Sequence, residues 1–413
     1  GDRQPGDRVA TAAPAAAKHF LGGSDYFALG LEYEEFVYRD GGGQLVDRWL
    51  GSPLLRSGED LEAALAGEGR LWLVLDESRF RSRFEPAFVA LVWDRMELVG
   101  YTAGVLVFRS FVGSEPAVSQ ALGAKFGEAL RLERYALGSP ANRPAAETLG
   151  ELVALPGEEL PLTLYWQATR PLLGSWHVFV HIVDQDGQRL APADGPPLAG
   201  VEGALPMDHW PVGETLPDRR LLSLPDALPP GLYRLEVGLY DPATGDRLPI
   251  DADRGHALDG ALIVDYFRVG GDDLALPPPQ GGLPADLARP GERVRLLGYS
   301  LGPGPVAAGG TLDLVLYWQG QDRIGTDYTV FLHLLDGEGR TWGQGDGRPV
   351  AGFYSTLYWD PGEIVADAHR VQVDPSSPPG LYQLAVGLYE LETGRRLPTA
   401  DGDRLLIGSV EVR

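Results

Sequence analysis

One five-residue stretch of the 413-residue chain has the pattern of a catalytic serine. The stretch Gly298-Tyr299-Ser300-Leu301-Gly302 matches Gly-x-Ser-x-Gly, in which a sharp turn between a strand and a helix exposes the serine as a nucleophile. Pro303-Gly304-Pro305 follows and argues against that helix, because proline has no amide proton to donate. The sequence therefore predicts that Ser300 is not the nucleophile of a hydrolase.

Residues that could bind a metal ion are scattered along the chain. Three aspartate pairs have a two-residue spacing: Asp184 and Asp186, Asp251 and Asp253, Asp401 and Asp403. Such oxygen ligands could hold Ca²⁺, but none of the pairs has the spacing of a known calcium loop. The chain has no cysteine, which excludes thiolate sites and disulfides. We predict no catalytic residue, no metal and no cofactor in this chain.

Aromatic residues of one late segment could form a sugar-binding surface. Trp342, Phe353, Tyr354 and Tyr358 stand where an otherwise similar earlier segment has smaller or acidic residues. Aromatic rings stack on sugar rings, and a nearby carboxylate such as Asp346 accepts hydrogen bonds from sugar hydroxyls. Two interpretations follow: a carbohydrate site at these five residues, or packing of the rings against a neighbouring domain, which we favour.

The composition limits the partners of the protein. A formal charge of −23 argues against nucleic acid and against anionic membrane surfaces. No stretch approaches the ~20 apolar residues of a membrane helix. Two lysines against 33 arginines, with one asparagine and two methionines, are typical of a thermophile or of a GC-rich genome. Glycans or surface proteins are the candidate partners, and the oligomeric state is left open.

The chain contains one long unit twice. Leu164-Tyr165-Trp166-Gln167 returns as Leu316-Tyr317-Trp318-Gln319, and Pro230-Gly231-Leu232-Tyr233 returns as Pro379-Gly380-Leu381-Tyr382. Large or polar residues that recur in both copies are predicted to form the core: Trp166 and Trp318, His181 and His333, Trp210 and Trp359, Tyr233 and Tyr382. Asp218 and Asp367, like Arg247 and Arg396, also recur and are predicted to brace loops or form ion pairs.

Each copy reads as an antiparallel β-sandwich of Ig-like or jelly-roll-like type. Short strands alternate with turn signals such as Asp186-Gly187 and Glu338-Gly339. Leu162, Leu164 and Trp166 fall on one face of a strand, since side chains alternate along a strand. The tyrosine after Pro-Gly in each copy resembles the tyrosine corner of sandwich folds.

The first part of the chain has a different pattern, with helices alternating with strands. Helices are predicted at 14–21, after a Ser57 cap, and at 84–93, and a buried strand at 70–76. A hairpin of strands at 96–101 and 105–109 closes this part. The predicted organisation is a small α/β domain at 1–112, a connector at 113–125, a first β-sandwich repeat at 126–270, a Pro/Gly-rich linker at 271–289 and a second β-sandwich repeat at 290–413.

Several motifs of the chain resemble a known bacterial family. The stretches Pro5-Gly6-Asp7-Arg8-Val9, Asp47-Arg48-Trp49-Leu50-Gly51 and the strand at 70–76 resemble the extracytoplasmic end of multi-spanning glycosyltransferases. These enzymes are similar to protein mannosyltransferases and lipid A aminoarabinose transferases. The repeated Leu-Tyr-Trp-Gln and Val-Gly-Leu-Tyr motifs look like the sandwich modules that follow such regions in some surface proteins. The resemblance implies that the catalytic acids lie in membrane segments outside this chain.

Three hypotheses for the function follow from these patterns. The first is a non-catalytic, extracytoplasmic accessory region of a membrane glycosyltransferase-like protein that positions glycan or protein acceptors. The second is a free-standing cell-surface or secreted structural or adhesive protein, including a filament subunit. The third is a carbohydrate-binding module that uses the aromatic residues named above.

Overall fold

The computed structural model describes residues 3–30, 34–110, 119–138, 152–172, 174–190, 193–198, 205, 207–252, 257–258, 260–270, 279, 281 and 284–413. Strands make up 50% of the structure and helices 12%, so the protein is rich in β-structure, as predicted. Among the described helices, none is long and apolar enough to span a membrane.

The first segment carries a six-stranded mixed sheet. Its elements are β1 (Arg8–Thr11), α1 (Pro14–Leu21), β2 (Tyr26–Ala28), β3 (Val37–Arg39), β4 (Leu45–Asp47), β5 (Leu54–Leu55), α2 (Gly58–Leu65), β6 (Leu71–Asp76), α3 (Glu77–Arg83), α4 (Pro86–Arg95), β7 (Met96–Thr102) and β8 (Val105–Ser110). The strand order is β5-β2-β1-β6-β8-β7, with parallel pairing from β5 to β6 and antiparallel pairing after it, and β3 and β4 form a separate hairpin. The three predicted helices and the closing hairpin are confirmed.

The helix ends of this segment follow from local sequence. Ser57 accepts a hydrogen bond from the Asp60 amide, and the Asp60 carboxylate accepts one from the Ser57 amide, which completes a capping box. Helix α1 begins with proline in its first turn and ends at Gly22, whose φ of 80° favours glycine. The strand β6 is buried only at alternate positions, so it is not covered on both faces as the apolar run suggested.

The first repeat forms two sheets. Its strands are β9 (Gln120–Phe126), β10 (Leu130–Leu137), β11 (Val153–Ala154), β12 (Glu159–Ala168), β13 (His177–Val183), β14 (Arg189–Leu190), β15 (Thr215–Ser223), β16 (Gly231–Tyr240), β17 (Ile250–Asp251), β18 (Ala257–Leu258) and β19 (Ala261–Val269). One sheet has the order β15-β12-β10-β9-β17, and the other has the order β11-β19-β16-β13-β14, with β18 paired to β19. Since β9 pairs with β10, residues 120–125 of the predicted connector belong to this sheet, while 113–118 lie outside the described residues.

The second repeat forms one nearly closed antiparallel sheet of eight strands. The strands are β20 (Ala285–Arg289), β21 (Glu292–Leu301), β22 (Thr311–Gly320), β23 (Tyr328–Leu335), β24 (Thr341–Gln344), β25 (Ile364–Val373), β26 (Gly380–Glu390) and β27 (Leu405–Val412). Their order is β20-β21-β22-β25-β24-β23-β26-β27, so the short strand β24 joins two halves that stay separate in the first repeat. Strand β20 includes residues 285–289 of the predicted linker, of which 271–278, 280 and 282–283 lie outside the described residues.

Most of the predicted core residues that the two repeats share are buried, but His333 is only partly buried, with 17% of its side chain exposed. Trp166, Trp318 and Trp359 are fully buried, and Trp210, Tyr233, Tyr382 and His181 are also buried. The hydroxyls of Tyr233 and Tyr382 donate to the carbonyls of Pro229 and Pro378, each at 2.7 Å, as the tyrosine-corner pattern predicts.

A phenylalanine packs between a glycine and an arginine in both repeats. A Cβ atom on Gly238 would lie 2.1 Å from the ring of Phe179, so only glycine fits there. The Arg247 guanidinium lies 4.4 Å from the centroid of the same ring. In the second repeat Gly387, Phe331 and Arg396 repeat this arrangement, so the recurring arginines stack on aromatic rings.

Candidate functional site

Three of the predicted sugar-binding rings lie at the contact between the two repeats. Phe353, Tyr354 and Tyr358 surround Tyr266 of the first repeat, with ring centroids 5.6, 4.6 and 4.9 Å from the Tyr266 centroid. Phe353 is 9% exposed and Tyr354 is 3% exposed. These rings therefore pack against the neighbouring repeat, as the favoured interpretation expected, and do not present an open face to a sugar.

Polar groups reinforce this contact, which we call the inter-repeat joint. The Tyr266 hydroxyl donates to the Phe353 carbonyl at 2.6 Å. Arg268 donates to the Glu363 carboxylate at 3.2 Å, and the Tyr354 hydroxyl donates to the same carboxylate at 2.7 Å. Burial raises the pKa of Glu363 and of Tyr354 above their ordinary values. The joint thus combines aromatic packing with buried, satisfied hydrogen bonds.

The other two predicted residues have different surroundings. The Trp342 indole nitrogen donates to Asp336 at 2.8 Å, and the Arg340 guanidinium lies 5.8 Å from the Trp342 ring centroid. Asp346 accepts from the Leu332 amide at 3.1 Å and lies 3.6 Å from the His333 imidazole. The Trp342 side chain therefore extends from strand β24 to the turn at Asp336, whereas Asp346 lies beside a groove.

That groove has a volume of about 890 Å³ and is lined by the segment 345–352 and by strands β21, β22 and β25. The polar residues that line it are Ser300, Asp313, Asp346, Arg348, His369 and Arg370. Arg348 is paired with Asp327 at 3.3 Å, and Arg370 is paired with Asp313 at 3.2 Å. A concave site of this size, with a few converging polar groups, is the usual form of a small-ligand site.

A buried aspartate and histidine stand at the wall of the groove. The His369 Nε2 atom lies 2.7 Å from the Asp367 carboxylate, and both side chains are almost fully buried. The same carboxylate accepts from the Trp318 indole at 3.2 Å and from the Val350 amide at 2.8 Å. The Nδ1 atom of His369 makes no hydrogen bond to any residue that the structure describes.

The Asp367 carboxylate holds a strained loop in place. Val350 and Ala351 have φ values of 52° and 54°, in the left-handed region that β-branched residues rarely adopt. Such a backbone persists only where the surrounding structure fixes it, and the bond to the Val350 amide does so here. Asp367 therefore shapes the rim of the groove, which confirms its predicted role as a loop brace.

Ser300 lines the same groove but does not form a triad with this pair. Ser300 lies within β21 opposite Val315, whereas His369 lies in β25 opposite Leu314. Since side chains alternate along a strand, Ser300 and His369 project from opposite faces of the sheet. The Ser300 hydroxyl instead lies 3.4 Å from the Tyr317 hydroxyl.

The first repeat has the same carboxylate with a different partner. Asp218 accepts from the Leu198 amide at 2.8 Å, and Leu198 has a φ of 57°. At the position of His369 stands Arg220, which donates to Asp218 at 3.0 Å. Sequence reasoning identifies both aspartates but misses this exchange, although the signal is present: the residue two places after each recurring aspartate differs between the copies.

No protein family matches the sequence of this chain, and no curated protein matches it. Within the described part of the chain, no group of three or more acidic or histidine side chains is arranged to hold a metal ion.

Proposed function

We propose that this chain is a non-catalytic, extracytoplasmic accessory region of a membrane glycosyltransferase-like protein, in which it positions a glycan or protein acceptor. We propose further that the repeats at 126–270 and 290–413 are tandem antiparallel β-sandwiches of Ig-like or jelly-roll-like type, preceded by the small α/β domain at 1–112. The two separate sheets of the first repeat and the tyrosine corners of both repeats support this layout.

The observation that carries the accessory role is a joint of the same design in front of each repeat. Both repeats contain a Trp-x-x-Gly-Glu motif, whose glutamates are Glu214 and Glu363. Glu363 binds Arg268 of the preceding repeat. Glu214 lies among residues of the preceding α/β segment, including Arg81 and Trp93, in a cavity of about 680 Å³. Burial raises the pKa of both glutamates.

The joint between the α/β segment and the first repeat is closed by arginines. Arg219 donates to the backbone carbonyls of Met96 at 3.2 Å and Asp94 at 2.9 Å. Burial lowers the pKa of Arg219 to about 10. Arg81 donates to the carbonyl of His209 at 3.0 Å. The apolar cores of the two units merge into one buried cluster.

Two buried joints make the three units a stiff array. Units linked only by a flexible segment move freely, whereas units whose apolar cores merge keep a fixed spacing. A fixed spacing is what an accessory region needs in order to hold an acceptor at a set distance from a membrane-embedded active site. A binding protein that works alone has no need of it.

The accessory role is tested in the full-length product of the gene, whose reading frame upstream of Gly1 is expected to encode a bundle of membrane helices. We expect Tyr266→Ala, which loosens the inter-repeat joint, to slow sugar transfer to the native acceptor while leaving hydrolysis of the lipid-linked sugar donor unchanged. The matched control Tyr266→Phe keeps the ring and should transfer normally. A full-length protein without membrane helices, or equal transfer by both variants, would contradict the proposal.

A second candidate is a self-associating surface protein, and one observation favours it. Leu381 and Leu406 are 71% and 58% exposed on the neighbouring strands β26 and β27 of the second repeat. Their counterparts in the first repeat, Leu232 and Ile263, are buried in the inter-repeat joint. Sedimentation of the purified chain decides between the candidates: association that Leu381→Glu abolishes supports this function, and a monomer at all concentrations excludes it.

A further inference from the structure

In the first repeat, the Arg220 side chain fills the position that corresponds to the open groove of the second repeat. Arg220 donates from Nη1 to the Ala193 carbonyl at 2.8 Å and from Nη2 to the Pro196 carbonyl at 3.1 Å. Its side chain is 5% exposed, so a buried guanidinium satisfies these backbone acceptors. The loop it holds is the one that begins at the Asp194-Gly195 pair shared by both repeats.

The second repeat has the equivalent backbone carbonyls but has no arginine at the position of Arg220 to donate to them. Gly345 and Arg348 correspond to Ala193 and Pro196, and both line the groove. No side chain in the described part of the second repeat donates to either carbonyl, but the Gly352 amide donates to the Arg348 carbonyl at 3.2 Å, which leaves that oxygen one further lone pair. An imidazole is shorter than an arginine side chain, so His369 reaches its aspartate but not the loop carbonyls.

The histidine adds a further acceptor. Its Nε2 atom faces the Asp367 carboxylate, so in the neutral ring that nitrogen carries the proton and Nδ1 offers a lone pair. Gly347 lines the groove beside this atom, since a Cβ atom on Gly347 would lie 3.7 Å from Nδ1. Glycine has no side chain that would cover the nitrogen. The Gly345 carbonyl and the His369 Nδ1 atom are therefore acceptors without a donor among the described residues.

We propose that this groove binds a guanidinium or primary ammonium group, held in the place that the Arg220 guanidinium occupies in the first repeat. Several N–H donors on one cation match the carbonyls of Gly345 and Arg348 and the Nδ1 atom of His369. Arg348 and Arg370 also line the groove, but each is paired with another aspartate, so the Asp346 carboxylate favours a positive charge there. This binding site stands apart from the accessory role and does not depend on it.

The size of the groove indicates the source of the cation. A volume of about 890 Å³ is far larger than one guanidinium requires, so there is room for the residues on either side of a basic side chain. We therefore favour an arginine or lysine side chain presented by a polypeptide over a small free cation. The two sources share the same chemistry and are separated by the choice of probe.

The test is calorimetric titration of the whole chain with acetyl-Gly-Arg-Gly-amide, with agmatine, and with the same peptide carrying citrulline, which has the shape of arginine without its charge. We expect saturable binding of the arginine peptide, and binding of the citrulline peptide weaker by about tenfold or more. Agmatine that binds as tightly as the peptide identifies a small free cation as the ligand, and weaker agmatine binding identifies a polypeptide. Equal affinity for arginine and citrulline peptides, or no saturation at about 10 mM, overturns the proposal.

Reciprocal exchanges between the repeats provide matched variants. His369→Arg places a tethered guanidinium in the groove, as in the first repeat, and should abolish peptide binding without unfolding the protein. Arg220→His should open a second site and raise the stoichiometry from one to two. Unfolding is checked by near-ultraviolet circular dichroism, and should His369→Arg misfold, competition by free guanidinium provides the same test in the wild-type chain. Undiminished peptide binding by folded His369→Arg refutes the site.

Discussion

The two repeats share a buried aspartate that braces a strained loop, but they surround it differently. In the first repeat Asp218 balances the charge of Arg220, whose guanidinium also holds the loop carbonyls. In the second repeat Asp367 faces His369 and the Trp318 indole, and a groove lies open beside them. The difference shows that two copies of one fold can keep the aspartate that holds the loop, while the space beside it is filled by arginine in one copy and open in the other.

The comparison also separates two kinds of recurring residue. Positions that are identical in both copies, such as the core tryptophans and the corner tyrosines, fill the interior. Positions that differ include those at the joints and at the groove, where the copies have different neighbours. Variants made in matched pairs can therefore test which positions serve the fold and which serve the individual repeat.

The largest expected difference concerns the aspartates themselves. Asp218→Ala leaves the buried Arg220 guanidinium without an anionic partner, and we expect a loss of about 3–5 kcal/mol in the free energy of unfolding. Asp367→Ala leaves a histidine that can stay neutral, so only hydrogen bonds are lost, at about 1–3 kcal/mol. Urea unfolding, read by hydrogen exchange in peptides from each repeat, measures both. Equal losses would show that the partner of the aspartate is unimportant.

A smaller loss of stability, equal in the two repeats, is expected when the glycine that contacts each phenylalanine ring is substituted. Gly238→Ala and Gly387→Ala would place a Cβ atom 2.1 Å from Phe179 and 2.5 Å from Phe331, respectively. We expect each substitution to cost about 1–3 kcal/mol through overpacking. Thermal unfolding followed by tryptophan fluorescence reports the loss. A tolerated alanine in only one repeat would show that this core feature is not shared after all.

The smallest expected effect is a pH dependence of stability that arises from His181 and His333, which occupy equivalent positions in the two repeats. Burial lowers the pKa of His181 and of His333 below the ordinary value near 6.5. Below a pH near 6.5, the unfolded state therefore binds more protons than the folded state. The free energy of unfolding is highest above that pH and decreases as the pH falls.

We expect the melting temperature to drop between pH 7.5 and pH 5, and His181→Gln to reduce the drop more than His333→Gln. The reason is exposure: the His181 side chain is 10% exposed and the His333 side chain is 17% exposed. Calorimetry at several pH values measures the effect. If His333→Gln reduces the drop more, the ranking by burial is incorrect.

Much of the fold could be predicted because its signals are local. The Ser57 cap, the Pro-Gly-Leu-Tyr corners and the alternating strands depend on neighbours a few residues away. Sequence patterns place β9 and β20 in a connector and a linker because these strands are short and flanked by turn residues. The joining of two half-sheets by β24 depends on contacts between distant parts of the chain, which no local pattern encodes.

The site could be predicted less completely, for a related reason. The aromatic residues that set the second repeat apart are visible in the sequence, but their partner Tyr266 lies in the other repeat and carries no local signal. The exchange of Arg220 for His369 is also visible, but its meaning depends on burial and on the loop carbonyls. Composition cannot reveal which of two similar segments leaves an opening beside a buried carboxylate.

The short strand β24 also affects how readily other polypeptide chains can pair with the second repeat. Strand β24 connects β23 to β25, although it pairs with only Gln372 and Val373 of β25, and β20 and β27 are the end strands of the sheet. Val306 bridges to Val412 beside β27, which narrows the remaining gap. Closing a sheet reduces the unpaired backbone to which another chain could add a strand, and this disfavours edge-to-edge aggregation.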